Sequence, residues 1–367
     1  MKIAMIILRI ITGAVFIFSG TVKAIDPMGS AFKFSDYFNA FGFDFLQPLT
    51  IPLAFLLCLA EFISGFALLT GIRYKEGLWG ILLLMCIFTP LTLILALTNP
   101  VSDCGCFGDA VKLTNWQTFW KNVVLMSFVL ILFTSKKKPS EYLKPVKSWL
   151  LIIFASVSFI LFTGFNLIYL PVLDFLPYKT GNNIKELMII PEGAQAPVYK
   201  TTLIYEKDGV RKEFTIDNYP ADDTTWKFVD QKSVMIKKGY EPPIHDFAIV
   251  TSENVDITDK ILNNQNFTLL MVSRKLEQAR PDRLEKGFET GRKCLDNGID
   301  FYILTASNTD KIEKYGNGMN FCRADEITLK TMVRSNPGYL MLKNGIITGK
   351  WSWANLPENI EELKRIK

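Results

Sequence analysis

Five apolar stretches constrain this chain more than any other feature of it. They run from Ile3 to Val22, Leu49 to Thr70, Gly77 to Leu97, Trp116 to Thr134 and Trp149 to Val172. Each approaches or exceeds the roughly 18–20 residues that a helix needs to cross a bilayer. The first, "MKIAMIILRIITGAVFIFSG", has four further spans behind it and no small-residue cleavage site. It therefore reads as a retained span rather than a removed signal. Most acidic residues follow position 172, so the 367 residues divide into a membrane part and a soluble part.

Lysine and arginine in short loops set the expected orientation. "IRYKEG" after the second span and "SKKKPSEYLKPVK" after the fourth carry the basic residues, so both belong on the cytoplasmic side. The N-terminus is then cytoplasmic. The first loop, Ala24 to Pro48, the loop "DCGCFGD" (103–109) and everything after about Asp174 face the extracytoplasmic side of an inner (plasma) membrane. Disulfides form and persist there. The net charge of +5 is not clustered into a nucleic-acid footprint, and a single histidine, His245, leaves no usual zinc constellation.

Cys104 and Cys106 flank one glycine. A disulfide needs Cα atoms roughly 4.4–6.8 Å apart, which one intervening residue barely permits, and Gly105 is the residue most able to bend that far. A strained, exposed disulfide of this kind is oxidising and suits a redox centre. The bland alternative is a tight turn, or thiols that pair elsewhere. Cys58 and Cys86 lie deep in their spans, beyond easy reach of a surface loop, and read as packing residues.

Glu61, in "CLAEFISGFALLTG", falls near the middle of the second span, where a charge costs about 2.5 kcal/mol or more. It is a candidate proton carrier or partner to a cation. Arg9 either snorkels to the near surface or reaches Glu61 across the bundle. Gly13, Gly20 and Gly65 are expected to be close-packing points between helices.

The pattern Arg9, Gly13, Phe16, Ser19, Gly20, Lys23 resembles the opening of the DoxX and MauE membrane families, as does Glu61, Gly65, Gly71 in the second span. "DCGCFGD" before the fourth span resembles the MauE side specifically, and the likeness covers about residues 1–135. These proteins are similar in layout to the vitamin K epoxide reductase and DsbB classes, four-helix bundles with redox cysteines beside a quinone. The resemblance implies a part in disulfide formation in exported proteins, with Cys104 and Cys106 as the redox pair. It admits a quinone as cofactor, near Glu61 and Arg9. The pair here is C-x-C rather than C-x-x-C, and the first loop holds no second cysteine pair.

The soluble part opens with residues 173–241, expected to be a small β-rich connector. "TTLIYEKDGVRKEFTI" alternates and turns at Lys207-Asp208-Gly209. Residues 242–367 alternate strand and helix: "FTLLMVS", then "RPDRLEKGFETGRKCLDNG" closed by Gly298, then "DFYILTAS", "NFCRA", "DEITLKTMV" and a hairpin at "NPGYLMLKNGIITGKW". "PPIHDFAI" and "NPGYLMLKNG" resemble the entry strand and the cis-proline stretch of TlpA-like thioredoxin domains, with Pro337 as the cis candidate. The position of that family's C-x-x-C reads "SRKLEQARPD", without cysteine. A thiolate at a helix N-terminus drives that reaction, so the domain is expected to be inert as a dithiol oxidoreductase. Cys294 and Cys322 either bridge as a structural disulfide or both stay free.

The expected architecture is therefore a membrane all-α bundle followed by an α/β thioredoxin-like domain lacking C-x-x-C. Residues 1–135 form the four-helix core, and residues 136–172 the basic loop and fifth span. The leading function is a membrane thiol–disulfide component. It would act on exported client proteins or a soluble thioredoxin-like partner, with the C-terminal domain as a docking module. A non-catalytic assembly scaffold, or a quinone- or small-molecule-binding bundle using Glu61, are the other readings. Neither metal nor nucleic acid is expected.

Overall fold

The computed structural model describes residues 2–101, 103–135, 144–196, 198–216, 218–221, 223–237, 239–245, 247–315 and 318–365. Lysines 136–138 of the basic loop lie outside these residues. The chain divides into two compact units, Met1–Asn182 with Ala248–Lys367, and Asn183–Phe247.

The first unit begins with α1 (Lys2–Ile25), α2 (Pro27–Phe41), α3 (Thr50–Thr70), α4 (Tyr74–Thr98), α5 (Asn115–Thr134) and α6 (Pro145–Tyr169). All but α2 belong to segments long and apolar enough to cross a membrane. Their ends follow local chemistry. Gly71, with φ of 78°, accepts the left-handed cap that stops α3, and a Thr114–Gln117 capping box opens α5. Pro171 limits α6 to Tyr169, short of the Val172 expected from hydropathy alone.

Helix α1 packs most extensively on α3. A Cβ on Gly20 would lie 2.7 Å from the Cys58 carbonyl, and one on Gly65 would lie 2.8 Å from that of Gly13. Small residues thus bring the two backbones together where the bilayer supplies no hydrophobic drive. Phe16, Leu68, Ile81, Met85, Leu125 and Val129 fill the space between α1, α3, α4 and α5.

The connection read as a loop from Ala24 to Pro48 contains α2, and this corrects the sequence reading. "PMGSAFKFSDYFNAF" is too mixed in polarity to register as a span, but its ends carry ordinary stop and start signals. Asp26 caps it, accepting from Gly29 N at 2.8 Å. Pro27 occupies the first turn, and Gly42 closes it at φ 73°.

The second unit holds α7 (Ile184–Met188) and an antiparallel sheet of β1 (Val198–Lys207), β2 (Val210–Thr215) and β3 (Lys227–Lys237), in the order β2-β1-β3. Asp208 and Gly209, both at positive φ, make the tight hairpin turn. Tyr219 stacks on Tyr205 of the sheet, and Trp226 meets Phe214 edge to face. The unit begins ten residues later than the expected connector, because residues 181 and 182 belong to the other unit: Gly181 N donates to Ile347 O at 2.8 Å, and Ile347 N to Asn182 O at 2.9 Å.

The remainder of the first unit is a six-stranded mixed sheet with the order β4-β7-β6-β5-β8-β9. Its elements are β4 (Val250–Thr251), α8 (Thr258–Leu262), β5 (Phe267–Val272), α9 (Pro281–Asp296), β6 (Asp300–Thr305), α10 (Thr309–Glu313), β7 (Phe321–Arg323), α11 (Glu326–Met332), β8 (Gly338–Lys343), β9 (Ile346–Ser352) and α12 (Ile360–Leu363). Strands β5, β6 and β7 are parallel; β8 and β9 run antiparallel at one edge. The central strand β5 is almost wholly buried, which explains its continuous apolar run. Leu284, Gly287, Gly291 and Cys294 form the buried face of α9. The Asn336–Pro337 peptide bond is cis. Of the two states left open for Cys294 and Cys322, the structure shows free, buried thiols.

Candidate functional site

The loop between α4 and α5 is closed at its base by Asn115, whose amide donates to Asn99 Oδ1 at 2.7 Å and to Val101 O at 2.9 Å. Within it Gly105 N donates to Asp103 Oδ1 at 2.9 Å, and Gly105 itself sits at φ 64°. That left-handed residue folds the chain back on itself, so the sulfurs of Cys104 and Cys106 meet at 2.6 Å. Both are free thiols, half-buried. A Cβ on Gly105 would sit 2.8 Å from Lys33 Cγ, so the position is restricted by space as well as by backbone.

Two helices hold this loop. From α2, Tyr37 donates its hydroxyl to Cys104 O at 2.5 Å, and Lys33 pairs with Asp103 at 2.9 Å. From α1, Lys23 Nζ donates to Cys106 O at 2.6 Å and to Ser19 Oγ at 2.7 Å. The same ammonium lies 2.8 and 3.0 Å from the two Glu61 oxygens. Ser19 in turn donates to Cys106 O at 2.9 Å. Lys23 and Glu61 are 5% and 1% exposed, so each charge depends on the other.

Burial pushes the Tyr37 hydroxyl and the Asp36 carboxyl up from their ordinary values. The Cys106 thiol at its side holds Cys104 down, to about 6, against the opposing effect of burial. Cys106 is raised by the same contact and by burial. The pair is thus asymmetric, with the thiolate favoured at Cys104 and the proton at Cys106.

A cleft of about 470 Å³ opens beside the pair. Its walls are apolar, with Leu57 and Ala60 on α3 and Leu84 and Phe88 on α4. Its polar end is made by Cys104, Gly105 and Cys106 with Lys23, Lys33, Tyr37 and Glu61.

The other sequence candidates lie elsewhere. Arg9 is fourteen residues before Lys23, roughly 21 Å along α1 at 1.5 Å per residue. It acts electrostatically on Tyr74, and its Nε is buried without a hydrogen-bond partner among the described residues. The expectation that Arg9 could reach Glu61 is replaced by the Lys23 pair. Cys58 is buried and bonds Phe55 O at 3.2 Å. Cys86, expected to be a packing residue, is exposed on α4. Cys294 and Cys322 are each pushed up to about 11 by burial. His245 is exposed, in the second unit. No cluster of three metal-ligating side chains occurs among the described residues. Lys23, Ser19, Lys33 and Tyr37 were not singled out as site residues. The readable signal was the Ser19–Lys23 spacing, which puts both on one helix face at the end of an apolar span.

These side chains all fall in one stretch of the chain. Residues 1–135 match the family Methylamine utilisation protein MauE. The MauE match ends with α5, so α6 and the six-stranded sheet lie beyond it. Residues 199–238 match a domain of unknown function, DUF8463. No curated protein and no solved structure matched the chain. The MauE-like stretch carries the cysteine pair, its cage and the cleft; the chain is a membrane protein with five candidate spans.

Proposed function

We propose that the MauE-like bundle is a membrane thiol–disulfide redox centre in which Cys104 and Cys106 exchange with exported client proteins. The contact between their sulfurs, at the polar end of an apolar cleft, carries this reading. A membrane role of the kind the family's name gives, methylamine utilisation, is its coarser form. The basic loops put the CGC loop and the six-stranded domain on the extracytoplasmic side. That domain is a thioredoxin-like docking module without its own dithiol, since "SRKLEQARPD" stands where the TlpA-like family places C-x-x-C. Cys104, as thiolate, is the nucleophile, and it is also the better leaving group when a client thiol attacks the oxidised pair.

Oxidation of the dithiol releases two electrons and two protons, and a lipid-soluble quinone in the cleft would accept both. The residues fit such a group: apolar walls for a ring and tail, and the thiols at the polar end. Lys23 and Tyr37 hold the loop carbonyls, which keeps both sulfurs facing the cleft, while Glu61 holds the Lys23 side chain in place.

Binding of decylubiquinone to the purified protein in lipid nanodiscs tests this. Ala60→Trp fills the cleft and is expected to weaken binding by about tenfold or more, with Cys104 still alkylated at the wild-type rate. Equal binding in the wild type and the Ala60→Trp variant would remove the cleft from the account.

A further inference from the structure

We infer that Arg334, from the six-stranded domain, is the latch that keeps the CGC loop and α2 closed over the cysteine pair, and that releasing it opens the pair to reagents in water. Arg334 lies in the link between α11 and β8. Its side chain is 6% exposed, and every arm of its guanidinium is used. Nε bonds Asp26 Oδ2 at 2.8 Å, Nη2 bonds Asp109 Oδ2 at 2.6 Å, and Nη1 donates to Lys330 O at 2.6 Å. Asp26 is the N-cap of α2, and Asp109 is the last residue of "DCGCFGD". One buried cation therefore ties the start of the covering helix to the flank of the redox loop.

The same domain also grips the next face of α2. Arg274 lies 4.6 Å from the centre of the Phe32 ring, and Lys330 and Arg334 each lie 5.4 Å from it. One residue on, Lys33 pins Asp103, and Tyr37 one turn later pins the Cys104 carbonyl. Helix α2 is thus held by the domain on one face and holds the loop with the adjacent one. Without Arg334, Asp26 and Asp109 lose their shared counter-ion, and two close carboxylates repel each other. The loop flank and the helix cap separate, which exposes the pair beneath.

The latch deepens the proposed function and rests on it for its use. A macromolecular client cannot reach half-buried sulfurs until α2 moves, whereas the apolar cleft meets them with the latch closed. The domain that docks the client would then also control its access.

The test is the rate at which a charged, membrane-impermeant maleimide labels Cys104 in the full-length reduced protein in nanodiscs, read peptide by peptide by mass spectrometry above the titration of Cys104. Arg334→Ala is expected to raise the rate by about tenfold or more, and Arg334→Lys, which can satisfy one carboxylate, to fall between. Buried Cys294 and Cys322 report folding in the same sample. If they stay protected and Arg334→Ala labels Cys104 at the wild-type rate, the latch is wrong. If Arg334→Ala exposes them, Asp109→Asn decides, because it leaves the Asp26 pair intact: faster labelling supports the latch, and an unchanged rate overturns it. Accessibility is measured without turnover, so failure of the redox reading would leave this result standing, and failure of the latch would leave quinone binding unchanged.

Discussion

Glu61→Leu is expected to destabilise the protein by about 3–5 kcal/mol, because it strands the Lys23 ammonium in the bundle without its counter-ion. Lys23 is 5% exposed and lies 2.8 Å from Glu61 Oε2, so losing the carboxylate leaves its charge poorly solvated. Lys23→Met should cost a similar amount by leaving the carboxylate alone. The double variant Lys23→Met/Glu61→Leu should recover most of the loss, since apolar side chains of similar volume often replace a buried pair without penalty. The Cys106 carbonyl keeps one donor there, Ser19. Unfolding free energies of the three variants in mixed micelles check this. A double variant as unstable as the two single losses added together would show that the residues do not act as a pair.

Cys106→Ala should move the titration of Cys104 upward from about 6. The Cys106 contact is the largest influence holding Cys104 down, and burial, which raises it, would then be opposed only by the weaker effects of Thr118, the residue 106 backbone and Lys121. Alkylation follows the thiolate. In the wild type the rate of Cys104 labelling should rise as pH passes about 6 and level off near neutrality. In Cys106→Ala it should still be climbing through pH 8, at or beyond the ordinary thiol value of about 8.5. Near pH 7 this amounts to a loss of about tenfold or more in reactive thiolate. Labelling of the Cys104 peptide across pH 5–9 gives both curves, and superimposable curves would remove the hydrogen bond from the account.

The five spans were legible because run length alone decides them. Helix α2 was not, since its polarity is that of a helix lying between a bundle and a domain, and only Asp26-Pro27 and Gly42 marked its ends. Glu61 was legible as a costly charge, but its partner was not. Gly20 against Cys58 and Phe62, with Gly13 against Gly65 and Leu69, sets the register of α1 on α3. That register brings Glu61 to Lys23, one turn on from Ser19, and leaves Arg9 near Tyr74. Hydropathy gives depth along each helix but not which faces meet. The CGC turn was readable from Gly105, whereas the latch was not: Arg334 lies 308 positions from Asp26 and 225 from Asp109. No local pattern reports such a contact. The state of Cys294 and Cys322 also depended on tertiary placement.

The central claim is that Cys104 and Cys106 work as one redox pair. Thiol trapping in intact cells tests it most directly, by acid quench followed by a mass-tagged maleimide. The wild type is compared with Cys104→Ser, Cys106→Ser and the Cys294→Ser/Cys322→Ser double variant. The account predicts that the two loop cysteines protect each other from the tag, that each single variant traps mixed disulfides with other proteins, and that the double variant behaves as wild type. Full labelling of both loop cysteines in every background, with no mixed disulfides, would contradict it and leave the CGC loop as architecture.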